Sequence, residues 1–191
     1  MPGKPHGPAE IANRTDPRPF LNSHRALSVR LREFDRLTDC AVRGLSALGK
    51  SASGMDERPV VRRSPDRCLI QFGPVALTLA WLRHTLDSVA EGELLVVVWR
   101  GLVAPNGRSP ADLTTSICTP VRSATVEWEE VLRAVAIDEP SWLWRPTSAD
   151  IGGYRSPELA DRCVAHVQLA LACAMPDRGA SRPTLTSPAL V

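Results

Sequence analysis

The hydrophobic pattern of this 191-residue chain changes period twice, and this change limits the folds open to it. From about Ser23 to Leu48, apolar residues recur at three- and four-residue steps, which is the spacing of a helix. Between Cys68 and Val103 the dominant period is two, which is typical of strands. The helical period returns after Ser156. Helices that are separate from a run of strands predict an α+β fold.

Both predicted helices have recognisable ends. Gly49 follows the first apolar stripe directly and is a natural stop. Ser156 is predicted to be the N-cap of the last helix, with Pro157 at its first position and Glu158 in its first turn. Seven residues give this helix an apolar face, and it ends before Pro176: Leu159, Cys163, Val164, Val167, Ala170, Leu171 and Ala174.

The middle of the chain reads as strands joined by short turns, which favour antiparallel pairing. The period leaves 131–137 open between helix and strand. We expect one antiparallel sheet of about five or six strands, with an N-terminal and a C-terminal helix packed on one face. The predicted strands are 68–72, 75–82, 94–103, 113–119, 124–130 and 142–144, and 60–61 is a further short candidate.

Composition suggests where the domain begins and ends. Residues 1–22 and 176–191 are rich in proline, glycine and small polar residues, so we expect a disordered arm, a single α+β domain over 23–175 and a disordered tail. Apolar residues make up 43% of the chain and charged residues 23%, which is a globular composition. A net charge of +2 does not by itself indicate nucleic acid or a membrane as partner.

The cysteines and the N-terminus bear on location. The five cysteines form no C-x-x-C pair, and the first residues contain no apolar signal segment. The apolar run at 69–82 is too short for a membrane helix, which needs about 20 residues. We therefore expect reduced thiols in a soluble, cytoplasmic protein that needs no metal or other cofactor.

One segment carries a phosphate-loop pattern. Gly44, Gly49, Lys50 and Ser51 fit G-x-x-x-x-G-K-S, and an apolar run ending at Asp138 is similar to the strand that completes a magnesium site in such proteins. These two short segments resemble the nucleoside-triphosphate-binding P-loop family. The resemblance implies a nucleotide hydrolase or kinase. The alternative is that Gly49 caps a helix and Lys50 is solvated.

Tryptophan and arginine recur together in the predicted strands. The pairs are Trp81 with Arg83, Trp99 with Arg100 and Trp144 with Arg145. In a strand, neighbouring residues point to opposite faces, so Trp99 is predicted to face inward and Arg100 outward. These six residues are our candidate ligand site, a Trp-lined apolar pocket edged by arginines. The alternative is a tryptophan core with arginines paired to Glu127 and Glu129 across strands.

The function we expect is therefore binding without catalysis, with a small apolar or anionic ligand or a partner protein. Nucleic-acid binding is a further alternative, through Arg30, Arg32, Arg36 and Arg43 of the first helix. Cys163, His166 and Cys173 share one side of the last helix, but no second ligand pair stands at a recognisable metal-site spacing. No nucleophile elbow is present.

Overall fold

The computed structural model describes residues 18–51, 58–82, 88–103, 124–138, 141–149 and 152–174. They form one six-stranded sheet whose strands are neighbours in chain order and pair antiparallel throughout. The elements are α1 (Arg18–Leu21), α2 (His24–Ser51), β1 (Val60–Ser64), β2 (Arg67–Phe72), β3 (Val75–Leu82), β4 (Glu93–Arg100), β5 (Thr125–Asp138), β6 (Ser141–Pro146) and α3 (Ser156–Ala174). The predicted α+β class, the antiparallel sheet and the two flanking helices are confirmed.

Several predicted boundaries differ from the structure. The segment 131–137 is strand, because β5 continues unbroken to Asp138. Helix α2 runs two residues past Gly49, which is buried within it. Helix α1 lies in the segment we expected to be a disordered arm, and its Phe20 and Leu21 join the core. The predicted strand at 113–119 and the tail at 176–191 lie outside the described residues.

Alternation along the strands gives the sheet two distinct faces. The register places Ile70, Leu77 and Val98 side by side on what we call the inner face. The inner face and the apolar sides of α2 and α3 form one buried cluster. The two helices also pack on each other, and a Cβ at Gly44 would lie only 2.7 Å from Cγ2 of Val164. Glycine at position 44 is therefore explained by close helix packing.

A hydrogen-bonded tryptophan joins three of these elements. Trp144 on β6 is fully buried, and its ring centroid lies 5.9 Å from that of Trp81 and 5.4 Å from that of Trp142. Its indole Nε1 donates to Oγ of Ser156 at 3.0 Å. The Ser156 hydroxyl in turn donates to Oε2 of Glu33 at 2.7 Å. This chain of bonds links β6, α3 and α2.

The N-cap of α3 is not the predicted Ser156, because the Ser156 hydroxyl is bonded to Trp144 and Glu33. Leu159 N–H donates to the Arg155 carbonyl, so Arg155 and not Ser156 is the N-cap residue. Glu158 Oε2 accepts from the Arg155 N–H at 2.9 Å, which is the return half of a capping box. Ser156 is then the first helical residue, and its hydroxyl bonds tertiary partners rather than the helix backbone.

We predict that Ser156→Ala lowers the free energy of unfolding by about 1–3 kcal/mol, because a buried indole N–H loses its acceptor. Urea denaturation followed by far-UV circular dichroism measures the change. Ser46→Ala is the matched control, because among the described residues the Ser46 hydroxyl bonds only the Val42 carbonyl of its own helix. The control is expected to change stability by less than about 0.5 kcal/mol. Equal losses in the two variants would contradict the tertiary role of Ser156.

Candidate functional site

The structure brings together two of the three predicted tryptophans and places the third on the other face of the sheet. Trp81 and Trp144 lie on the inner face in edge-to-face contact, and both are buried. Trp99 lies on the opposite, outer face, so the prediction that it faces inward is wrong. The strand alternation places Trp99 beside Ala76 and Val97, and its Nε1 donates to Oγ1 of Thr78 at 3.0 Å. Trp144 is fully buried, and it is held by the Ser156 hydroxyl and by edge-to-face contacts with Trp81 and Trp142.

The arginines of the predicted site have separate partners. Arg100 pairs with Glu127 at 2.8 Å, as expected for a cross-strand pair. Arg145 donates from Nε to the Gly152 carbonyl at 3.0 Å, which holds the segment before α3 against β6. Arg83 lies outside the described residues. Of the five predicted ligand-site residues that the structure describes, only Trp81 and Trp144 are brought together.

The phosphate-loop pattern falls on a helix. Gly44, Gly49, Lys50 and Ser51 are all residues of α2, which is continuous from His24. A phosphate loop follows a strand and offers free backbone amides ahead of a helix. Inside a helix those amides bond to carbonyls one turn earlier, so the expected loop geometry is not formed. Asp138 is the last residue of β5, and the side chains of Ser51 and Asp138 lie outside the described part of the chain.

The arginines predicted for nucleic-acid binding do not share one surface. Arg30 is only 2% exposed and points into the protein. Arg32, Arg36 and Arg43 are exposed, and the helical period places them on the side of α2 away from Arg30. Arg30 must therefore be removed from that set.

A different group of arginines belongs to the β1–β2 hairpin. A cavity of about 360 Å³ lies at the turn between β1 and β2. We call it the arginine pocket. It is lined by Arg62, Arg63, Ser64, Asp66, Arg67, Ala80 and Trp81. Among the described residues of the predicted ligand site, only Trp81 borders it.

The base of the arginine pocket is held by a buried guanidinium from α2. Arg30 Nη1 donates to the Pro65 carbonyl at 3.1 Å and to Oδ1 of Asp66 at 2.9 Å. Its Cζ lies 5.5 Å from the Trp81 ring centroid, within range of a cation–π contact. The Trp81 N–H donates to the Asp66 carbonyl at 2.7 Å. The turn, β3 and α2 therefore meet at fixed positions.

The charges around the arginine pocket leave a positive excess. Three lining arginines face one lining carboxylate, and Asp66 is already paired with Arg30. Arg63 is held by Asp39 of α2 at 2.6 Å. Burial lowers the pKa of Arg63, but the hydrogen bond and charge of Asp39 outweigh it, so the pKa is raised overall. Among the described residues no carboxylate pairs with Arg62.

Gly92 leaves space for the ring of Trp81, which borders the arginine pocket. A Cβ at Gly92 would lie 2.1 Å from Cζ2 of Trp81, so only glycine leaves room for the indole. The segment carrying Gly92 is bonded to the end of α1, because the Val89 N–H donates to the Leu21 carbonyl at 2.9 Å. The position of Trp81 therefore depends on residues distant in sequence.

A second cluster lies between β5 and α3. The rings of Trp128 and His166 stack 4.0 Å apart, and Arg162 lies over Trp128 and over Tyr154. Glu130 pairs with Arg162 at 3.3 Å. Partial burial and the Arg162 charge lower the pKa of His166, against a smaller opposing effect of Glu130. Arg162 Nη2 donates to Oε1 of Glu130 at 3.3 Å, whereas Arg162 Nε and Glu130 Oε2 are buried and have no hydrogen-bond partner among the described residues.

Within the described part of the chain, Cys163, His166 and Cys173 of α3 belong to no cluster of metal-ligating side chains. Among the described residues, no group of three or more metal-ligating side chains is found. Cys163 is fully buried, and burial raises the pKa of its thiol to about 12, with Glu130 adding to the effect. Cys40, Cys68, Cys163 and Cys173 are free thiols.

We predict that His166 titrates below 6.5, its ordinary value, because burial and Arg162 disfavour the imidazolium. The folded state then binds the proton less tightly than the unfolded state. The stability that His166 contributes is complete above pH 6.5 and is lost as the pH falls through the folded-state pKa. A pH titration that follows the NMR signals of the His166 ring measures this pKa.

Arg162→Met removes the nearby cation and is expected to move the His166 midpoint upward. A wild-type midpoint at or above 6.5, or no upward movement in this variant, would contradict the proposed electrostatics.

Comparison with known proteins adds no relative. The chain matches no protein-family model, and no curated protein or solved structure is significantly similar to it. No helix in the described ranges has the length and apolar character needed to cross a membrane.

The arginine pocket was not among the predicted sites, although the sequence contains a signal for it. The run Val60-Val61-Arg62-Arg63-Ser64 precedes a Pro-Asp turn and has strand character. We expected mostly loop at 50–66, with a short strand at 60–61. A longer hairpin there would have paired Ser64 with Arg67 across a two-residue turn and placed Arg62 on the same face as Arg67.

Proposed function

We propose that this protein is a binding module that takes an anionic group in the arginine pocket. The observation that supports this most is the meeting of Arg62, Arg63 and Arg67 around one cavity beside Trp81. Arginine presents several N–H donors in a planar fork, which suits carboxylate and phosphate oxygens. The pocket is therefore chemically matched to an anion.

The size and rigidity of the pocket fit the same function. A volume of about 360 Å³ accommodates a small acidic group or one end of a larger ligand. Arg30 and Asp66 fix the base before any ligand arrives, so less ordering free energy opposes binding. Arg62 and Arg67 are exposed at the rim, where they can approach a ligand from solution.

We predict that pyrophosphate binds the wild-type protein and that Arg62→Ser and Arg67→Ser each weaken binding. Each substitution removes charge-assisted hydrogen bonds to the ligand that contribute about 1–2 kcal/mol, which raises Kd by roughly five- to thirtyfold. Isothermal titration calorimetry at low ionic strength measures Kd.

Arg155→Ser is the matched control, because Arg155 is an exposed arginine beside β6, at the opposite edge of the sheet. Its Kd is expected to equal that of the wild type. If pyrophosphate binds neither wild type nor variants, or binds all of them equally, the pocket is not an anion site.

The exposed side of α2 favours a second candidate, binding to the backbone of duplex nucleic acid. Arg25, Arg32, Arg36, Arg43 and Lys50 are exposed and stand at intervals of seven, four, seven and seven residues. On a helix these positions lie within about 40° of one another and extend over about 37 Å. Asp39, on the same side, is paired with Arg63. Such a row of cations can contact several phosphates.

For this candidate we predict that wild-type protein binds a duplex of about 20 base pairs and that binding weakens as salt rises. Charge reversal in the Arg32→Glu, Arg36→Glu double variant is expected to weaken binding by about tenfold or more and to flatten the salt dependence. Fluorescence anisotropy measures both quantities. Arg155→Glu is the control, and an equal loss in that variant, or salt-independent binding, would contradict a contact through α2.

A further inference from the structure

We propose that the outer edge of β1 binds an acidic, extended segment of a partner protein, which adds to the sheet as a seventh strand. This inference rests on the proposed function, because the acidic side chains of the added strand would enter the arginine pocket. It identifies the anion as part of a polypeptide whose backbone is also recognised.

The hairpin geometry determines which backbone groups of β1 are directed outward. Ser64 and Arg67 are paired across a turn of only two residues, so they must form a hydrogen-bonded pair. Pairs alternate along an antiparallel ladder, so Val60, Arg62 and Ser64 bond to β2. Val61 and Arg63 therefore direct their N–H and C=O groups away from the sheet.

This edge is open within the described part of the chain. All five residues of β1 are exposed, including Val60 at 58% and Val61 at 36%. The other edge of the sheet is partly covered, because Trp144 of β6 exchanges two backbone hydrogen bonds with Tyr154 at 2.8 Å each. Open backbone groups on an edge strand are a template for an added strand.

The side chains on the two sides of β1 specify the sequence pattern of the partner strand. Arg62 and Arg67 lie on the outer face of the sheet, and Val61 lies on the inner-face side. Arg63, also on the inner-face side, is already paired with Asp39. A partner strand that alternates acidic and apolar residues would place carboxylates beside Arg62 and apolar side chains beside Val61.

The same charges disfavour pairing between two copies of this edge. A second β1 strand would bring its own Arg62 and Arg63 next to those of the first copy, and like charges on paired strands are destabilising. The arginine-rich edge therefore selects an acidic partner over a second copy of this chain.

The test uses the full chain and the synthetic peptide acetyl-Val-Glu-Val-Glu-Val-Glu-amide. In the proposed register its valines exchange hydrogen bonds with Val61 and Arg63, because directly paired residues share a face. N-methylation of the valines is expected to weaken binding by about tenfold or more, whereas N-methylation of the glutamates changes Kd by less than about threefold. The two peptides have the same charge, so the difference reports backbone pairing alone.

Two protein variants test the same bonds from the other side. Val61→Pro removes the outward N–H without removing a bond to β2, and Val61→Thr keeps that N–H in a residue of similar shape. Val61→Pro is expected to weaken peptide binding by about fivefold or more, and Val61→Thr by less than about twofold. Hydrogen exchange measured by NMR adds a direct readout: the Val61 and Arg63 amides are expected to slow when the peptide binds.

The outcomes separate this inference from the proposed function. If pyrophosphate binds in an Arg62-dependent way but the two N-methylated peptides bind equally, strand addition is overturned and the anion site stands. An unchanged exchange rate of the Val61 amide in the peptide complex would also overturn strand addition. If neither pyrophosphate nor peptide binds, both proposals fail.

Discussion

The buried guanidinium of Arg30 is the constraint on which the candidate site depends. A charge that is only 2% exposed is costly unless neighbouring groups compensate it. Here Asp66, the Pro65 carbonyl and the face of Trp81 provide that compensation. All three come from the sheet side of the fold, whereas Arg30 comes from α2. The interaction therefore fixes the first hairpin against the helix layer and, with it, the positions of the pocket arginines.

The tryptophans of the inner face support this arrangement from behind. Trp81, Trp144 and Trp142 form a continuous edge-to-face series across the sheet. Trp144 is anchored to both long helices through Ser156 and Glu33. A shift of α3 would therefore move Trp144 and, through its ring contact, Trp81, which borders the arginine pocket. The arginines supply the charge of the arginine pocket, and the tryptophan series fixes the position of Trp81, which borders it.

The predictions that succeeded depend on interactions between near neighbours in the sequence, whereas those that failed depend on contacts between residues distant in the sequence. Helical and strand periods depend on near neighbours, so α2, β3, β4 and α3 could be predicted closely. The start of α3 was misassigned by one residue because Ser156 bonds Trp144 and Glu33, which lie elsewhere in the fold. Similarly, the helical pattern predicts that Arg30 is solvated, whereas the structure pairs it with Asp66. The P-loop pattern was misleading because such a pattern does not specify its own backbone conformation.

By itself, the sequence determined the order of elements, the antiparallel pairing through short turns and the α+β class, because these follow from local periodicity and turn chemistry. The tertiary structure alone decided which arginines share a surface. Arg63 is held by Asp39 of α2, Arg30 turns inward, and Trp99 lies on the opposite face from Trp81. Such placements depend on strand register and on compensation of buried charge, and both involve residues far apart in the chain.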